Sequence, residues 1–207
     1  MIKSYANIKI FFFIKIIFLY FALTLKCYSN SLDQNLIVLG TENALVKIKV
    51  FSSLTCPHCA DFHNEVVSKI KKEYIDKGKG KVQLIFIDFP LDQAAFNASK
   101  LLNCVSEENQ MEFLDIVYTR QEKWTDGSSL DDINKNLKKI VKNLGITSDQ
   151  FQKCLTNEAI SDKILNGRIN ANQKYSINST PTIVINEKKL EGSASFENIK
   201  KNIDKLI

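Results

Sequence analysis

Proline is scarce in this 207-residue chain, with only Pro57, Pro90 and Pro181, and glycine is limited to seven residues. No repeat and no low-complexity tract is present beyond the N-terminal stretch, so the chain reads as a globular protein rather than a linker or an array. Histidine occurs only at 58 and 63, and methionine only at 1 and 111. That leaves few imidazole or thioether ligands for a metal. Acidic residues are missing from the first 29 positions, which contain Lys3, Lys9, Lys15 and Lys26. The formal charge of +5 therefore belongs mostly to that stretch, and the remainder carries 24 basic and 23 acidic residues. A nearly neutral body gives no electrostatic basis for nucleic-acid binding, and none is expected.

The acid-free stretch has the layout of a targeting segment. A basic start (Met1 to Lys9) precedes an apolar run from Ile10 to Leu25, interrupted by Lys15. Its uninterrupted part, Ile16 to Leu25, is too short for a helix of about 20 residues that spans a bilayer. Small Ser29 and Ser31 follow. The expectation is a signal peptide over 1–29, with an uncleaved membrane anchor as the alternative. Lys26 stands where lipoprotein signals carry a small residue, so lipid attachment at Cys27 is not expected. Residues 30–207 are then an exported body, expected in the periplasm.

Within the body, Val46 to Phe51 alternates apolar and polar residues as a strand does. From Pro57 to about Tyr74 the spacing turns helical, with Val66, Val67, Ile70 and Tyr74 on one stripe, and Gly78 and Gly80 end it. Lys81 to Asp88 is a second strand, stopped by Pro90. A strand–helix–strand unit implies that these two strands run parallel. Helical periodicity then covers Leu91–Val105, Glu107–Trp124, Leu130–Leu144, Ser148–Thr156 and Ala159–Tyr175. After Pro181 the β-branched run Thr182 to Ile185 predicts a strand, followed by a turn at Asn186 to Lys188. A return strand over Lys189–Glu191 and a helix over Ser195–Leu206 complete the chain. The predicted architecture is an α/β fold carrying an inserted all-helical block over about 91–175.

Five cysteines are present, and Cys27 falls in the leader, leaving Cys56, Cys59, Cys104 and Cys154. Four cysteines allow three pairings. In an exported protein each is either redox-active or paired. Cys56-Pro57-His58-Cys59 lies between the first strand and its helix. Proline suits the first helical turn, where an N–H would lack a partner anyway. Cys56 is thereby placed at the helix N-terminus, where unpaired N–H groups and the dipole favour an anion. His58 is expected to add to that stabilisation. Cys59 lies one turn deeper, able to close a disulfide but less accessible. A stabilised Cys56 thiolate stabilises the dithiol form, so the disulfide readily accepts electrons and Cys56 leaves readily from a mixed disulfide. A structural zinc site is the alternative for such a motif. It needs two further ligands, and neither a second Cys-x-x-Cys nor any histidine other than His63 follows. His63, six residues into the helix, is expected on a solvated face, with tuning of Cys56 as the alternative. Pro181, in Ser179-Thr180-Pro181-Thr182, could simply start a strand. Together with the upstream cysteine motif, a cis Thr180–Pro181 bond becomes the expectation.

These residues together resemble the thioredoxin superfamily and, within it, the DsbA-like periplasmic oxidoreductases. The resemblance runs from about Ile37 to the C-terminus and rests on the strand entering Cys56-Pro57-His58-Cys59, the helical block, and Thr180-Pro181 before the last hairpin. It implies a thioredoxin-like fold in which Thr180 and Pro181 line the active site and the backbone of Thr180 pairs with substrate. It also implies reduced exported proteins as substrates and re-oxidation by a quinone-linked membrane partner. Cys104 and Cys154, each among apolar residues, read alone as two buried thiols. Some DsbA-like relatives carry a second disulfide in the helical block, which implies a Cys104–Cys154 bond. One departure stands out: many relatives have a buried acid in the strand before the motif, and here that position is Val50.

The leading expectation is an oxidase that introduces disulfides through Cys56 and Cys59, acting as a monomer with neither cofactor nor metal. An isomerase or reductase is the alternative within the class. A copper carrier using the same cysteines is the alternative outside it, since copper(I) favours thiolates.

Overall fold

The structure, a computed structural model, describes residues 36–77 and 80–207. The leader expected over 1–29, with Cys27, lies outside the described residues, as does Gly78. Five strands form one mixed sheet in the order β1-β3-β2-β4-β5: β1 (Ile37–Leu39), β2 (Val46–Ser52), β3 (Val82–Asp88), β4 (Thr182–Ile185) and β5 (Lys188–Lys189). β2 and β3 are parallel, and every other pairing is antiparallel. β3 is buried on both faces, whereas β2 buries one face throughout: Val46, Ile48 and Val50 are at most 1% exposed while Lys47 on the other face is exposed. Each such aliphatic side chain contributes about 2 kcal/mol of burial. β1 escaped the sequence reading because Ile37, Val38 and Leu39 are too few to show a period.

Helix α1 runs over residues 57–76, with α-helical turns at Pro57–Asp61 and Ser68–Ile70 and π-helical stretches at Phe62–Val67 and Lys71–Asp76. The anticipated stripe of Val66, Val67, Ile70 and Tyr74 is buried against one face of the sheet. Six helices separate β3 from β4: α2 (Gln93–Leu102), α3 (Glu107–Thr119), α4 (Gln121–Thr125), α5 (Leu130–Asn143), α6 (Ser148–Leu155) and α7 (Glu158–Tyr175). α8 (Phe196–Ile203) closes the chain, capped by the Ser195 side chain. The face that carries α1 also receives α8 and the apolar centre of the helical block, including Leu101, Phe113 and Leu137. Ala171 and Tyr175 of α7 cover Phe51, Ile85 and Val184 on the opposite face.

The single helix expected over Glu107–Trp124 is two. The chain bends at Arg120 (φ −111°, ψ 24°), and the Trp124 indole N–H donates to the carbonyl of Val117 at 2.8 Å. A carbonyl of the final turn, where intrahelical partners run out, is thereby satisfied by a side chain. α2 likewise begins at Gln93 rather than Leu91, because Asp92 is its cap and accepts from the Ala95 N–H at 2.7 Å. The final hairpin turns at Asn186 and Glu187, both at positive φ, so the return strand starts at Lys188, within the stretch expected to be turn.

Candidate active site

The parallel register of β2 and β3 sets Ser52 beside Asp88, and β4 brings Thr182 beside Phe51. The carboxyl end of β2 therefore opens between two neighbours, and the loop Ser53 to Thr55 carries the chain into α1 at that point. Cys56 caps α1 in extended conformation (φ −78°, ψ 119°), and Pro57 occupies the first helical turn. The carbonyl of Cys56 accepts from the N–H groups of Cys59 at 3.0 Å and Ala60 at 3.2 Å. Cys56 is half-buried and Cys59 only 1% exposed; both thiols are free. One turn of helix thus separates a sulfur that solvent can reach from one it cannot.

Thr180 and Pro181 meet this pair from the other side. The Thr180–Pro181 peptide is cis. The Cys56 thiol donates to the Thr180 carbonyl at 3.4 Å, and Thr182 Oγ1 steadies the loop by donating to the Ser179 carbonyl at 2.7 Å. The Thr180 hydroxyl is buried with no partner at ordinary hydrogen-bond distance. It faces Cys59 and pulls that thiol's pKa down, as does a backbone hydrogen bond from Ser53. Burial wins, and the Cys59 thiol is pushed up to about 12. His58 lies outside, its side chain 85% exposed, with Nδ1 3.8 Å from the Asp61 carboxylate.

Several functional neighbours were not evident in the sequence. Gln121, buried at the start of α4, donates through Nε2 to the carbonyls of Leu54 at 2.9 Å and Cys56 at 3.1 Å. Thr55 donates to the Asp92 carboxylate at 2.6 Å, and the Leu91 N–H donates to Ser53 Oγ at 3.3 Å. The helical block therefore grips the active-site loop from two directions. Beneath Cys59, the phenol of Tyr118 is pushed well up, first by burial and then by the charge that Cys59 can carry, while a hydrogen bond with Ser52 opposes the shift. Ser52, Asp88 and Tyr118 line a cavity of about 10 Å³, room for about one water. Asp88 is half-buried as a residue, but its carboxyl is enclosed and pushed up to about 7 by burial, against hydrogen bonds from Ser99 and Asn103.

His63 departs from expectation. It is 6% exposed rather than solvated, and its Nε2 lies 2.7 Å from Asp115 Oδ1. Its ring packs 4.7 Å from that of Tyr118 and 5.9 Å from that of Phe86. Three apolar positions near it gave the only hint, since Phe62, Val66 and Val67 share its helix and are buried too. Away from this site, Cys104 and Cys154 are joined by a disulfide that links the turn after α2 to α6, with Cα atoms 6.3 Å apart.

The thioredoxin family model matches residues 33–205. The chain is a DsbA-like member of the thioredoxin superfamily. A relative from Bacillus anthracis, named "Probable disulfide bond formation protein D", is 31% identical over 184 residues, covering 87% of this chain and 81% of its own. The crystal structure of alpha-DsbA1 from Wolbachia pipientis superposes with a TM-score of 0.74 at 32% identity, covering 83% of this chain and 90% of that one. A relative from Rickettsia bellii named for protein-disulfide oxidoreductase activity is 27% identical over 177 residues, covering 85% of this chain. The chain spans 66% of that relative's length, just under two thirds. The family model spans the whole sheet and the helical block.

Proposed function

We propose that this DsbA-like chain is an exported protein-disulfide oxidase. The observation that carries the reading is the asymmetry of the pair: Cys56 is half-buried at the start of α1, against the Thr180 carbonyl, whereas Cys59 is enclosed. In the oxidised form, a substrate thiolate attacks the Cys56 sulfur, the Cys56–Cys59 bond breaks, and Cys59 leaves with the electron pair and takes up a proton. A second substrate thiolate then attacks the substrate sulfur of the mixed disulfide, and Cys56 leaves as a thiolate. Two substrate thiols become a disulfide, and the pair is left reduced. The backbone of Thr180 is the edge on which an extended substrate pairs, in the manner of an added strand. His58 tunes the exposed sulfur from outside. A quinone-linked membrane partner returns the pair to the disulfide.

The basic, acid-free leader and the closed Cys104–Cys154 bond support an oxidising, extracytoplasmic location. The test mixes the oxidised protein with a reduced, unfolded protein that needs disulfides. An oxidase transfers one disulfide per Cys56–Cys59 pair without glutathione. Failure to oxidise the reduced protein, with acceleration only of reshuffling in an already oxidised, scrambled one, marks an isomerase instead.

A further inference from the structure

Cys59 has a proton to dispose of. In the dithiol its sulfur must be deprotonated before it can attack Cys56, yet a thiol pushed up to about 12 is ionised at pH 7 in only about one molecule in 10⁵. The chain lacks an acid in the strand ahead of the motif, since position 50 is Val50. Something else near Cys59 has to accept the proton.

The geometry points to His63. We propose that His63 takes the Cys59 proton on Nδ1 when Cys59 attacks, returns it when Cys59 leaves, and is held for this by Asp115. Asp115 accepts from Nε2 at 2.7 Å, and a carboxylate can only accept, so the imidazole proton sits on Nε2. Nδ1 then bears a lone pair, buried and without a partner. A buried polar atom without a protein partner calls for an explanation, and a role in proton transfer is one. Burial favours the neutral ring, and Asp115 opposes this from its far side, so the imidazole is a base at neutral pH and its cation has a counter-ion waiting. Cys59 and His63 are four residues apart on one buried face of α1, a spacing that sets Cβ atoms about 5–6 Å apart. Nδ1 makes no hydrogen bond to the thiol, so the proton passes from sulfur to imidazole through one water. The groups packed against His63 are Asp115 and Tyr118 on α3 and the uncharged Phe86 on β3; Cys59, four residues back on its own helix, and Asp88 both act on Tyr118.

The proton bookkeeping closes. As the Cys59 sulfur forms its bond to Cys56, the group held on Cys56 departs as a thiolate, and the Cys59 proton resides on the imidazolium paired with Asp115. This inference rests on the reading of Cys56 and Cys59 as an attacking and a resolving thiol.

Mixing the reduced protein with 5,5′-dithiobis(2-nitrobenzoate) in a stopped-flow instrument separates the two. The first equivalent of coloured thiolate reports attack by Cys56, the second its displacement by Cys59. In the wild-type protein the second phase should quicken with pH through one transition. His63→Phe keeps a ring against Tyr118 and Phe86 but removes the base. It should slow the second phase at least tenfold and abolish the transition, with the first phase within twofold of wild type. Asp115→Asn alters a side chain that is 63% exposed and should fold even if His63→Phe does not. It should slow the second phase severalfold and move the transition to lower pH, a displacement that a packing role does not produce. An unchanged transition in both variants overturns the proposal. So does its loss in Asp88→Asn but not in the His63 variant. A second phase that persists in Cys59→Ala contradicts instead the assignment of the two thiols.

Discussion

Cys56 and Cys59 flank a single turn at the start of α1, whereas Cys104 and Cys154 tie the turn after α2 to α6 across 50 residues of chain. The first pair is asymmetric, one sulfur half-buried and one enclosed, and both thiols are free; the second pair is closed, among the apolar side chains of the helical block. Closing three residues removes little freedom from the unfolded chain, while closing 50 removes a great deal. The contrast teaches that a cysteine pair serves exchange or stability according to where the chain places it: at a helix start beside the Thr180 carbonyl, or within the apolar core of a helical block. Around the first pair the protein tolerates buried groups that are costly to ionise, namely Cys59, Tyr118 and Asp88.

The most severe disruption of this division is removal of Cys56. Cys56→Ala should abolish disulfide exchange, by at least about a thousandfold, with the fold intact by circular dichroism. Cys59→Ala should instead accumulate a mixed disulfide through Cys56, visible by mass spectrometry as a substrate adduct. The second pair should behave oppositely. Replacing both Cys104 and Cys154 by Ala should lower unfolding free energy by about 4 kcal/mol, measured in denaturant, while Cys56 reacts with dithiobis(nitrobenzoate) at the wild-type rate. A large change in that rate would show the two regions to be one functional unit.

Smaller effects sharpen the boundary between the regions. Gln121 carries the grip of the helical block on the loop, and Gln121→Ala leaves the carbonyls of Leu54 and Cys56 without its donor. The loss should be about 2 kcal/mol together with slower exchange, so one substitution should be felt both in denaturant and in the turnover of a reduced test protein. Asp88→Asn should act the other way. The folded state raises the Asp88 pKa from 3.8 to about 7, so it binds that proton more tightly than the unfolded chain does. The carboxylate therefore weakens the fold progressively as pH rises from about 4 to about 7, and by a constant amount above that. Allowing for its partial exposure, Asp88→Asn should stabilise the protein at pH 8 by about 2 kcal/mol and make little difference at pH 4. Equal effects at both pH values would mean that the Asp88 carboxyl is solvated.

Much of the frame was legible in the chain. The alternation at Val46 to Val50, the stripe through Ile70 and the β-branched Thr182 to Ile185 are local patterns, and each became the element it predicted. Cys56-Pro57-His58-Cys59 was legible because proline and the strand before it dictate a helix start. What stayed hidden depends on contacts distant in sequence. Gln121 looks like any polar residue of a helix until the bend at Arg120 turns it towards a loop 65 residues away. His63 sits among charged and polar neighbours, Asp61, Asn64 and Glu65, and these suggest a solvated face. Its burial comes from α3, which supplies Asp115 and Tyr118 some 50 residues later. Asp88 reads as a strand end. Only the register that places it beside Ser52, under Tyr118, gives it a part in the site.

The central claim is that Cys56 and Cys59 form a disulfide donor, and the reduction potential of that pair tests it most directly. The protein is equilibrated in glutathione buffers of graded ratio, quenched in acid, and the reduced fraction of the Cys56–Cys59 pair is counted by alkylation, with Cys104 and Cys154 followed in the same spectra. A disulfide donor should give a potential between about −180 and −120 mV, with the Cys104–Cys154 bond still closed where the first pair is fully reduced. A value near about −270 mV, where thioredoxin-type dithiols reduce their partners, would contradict the account.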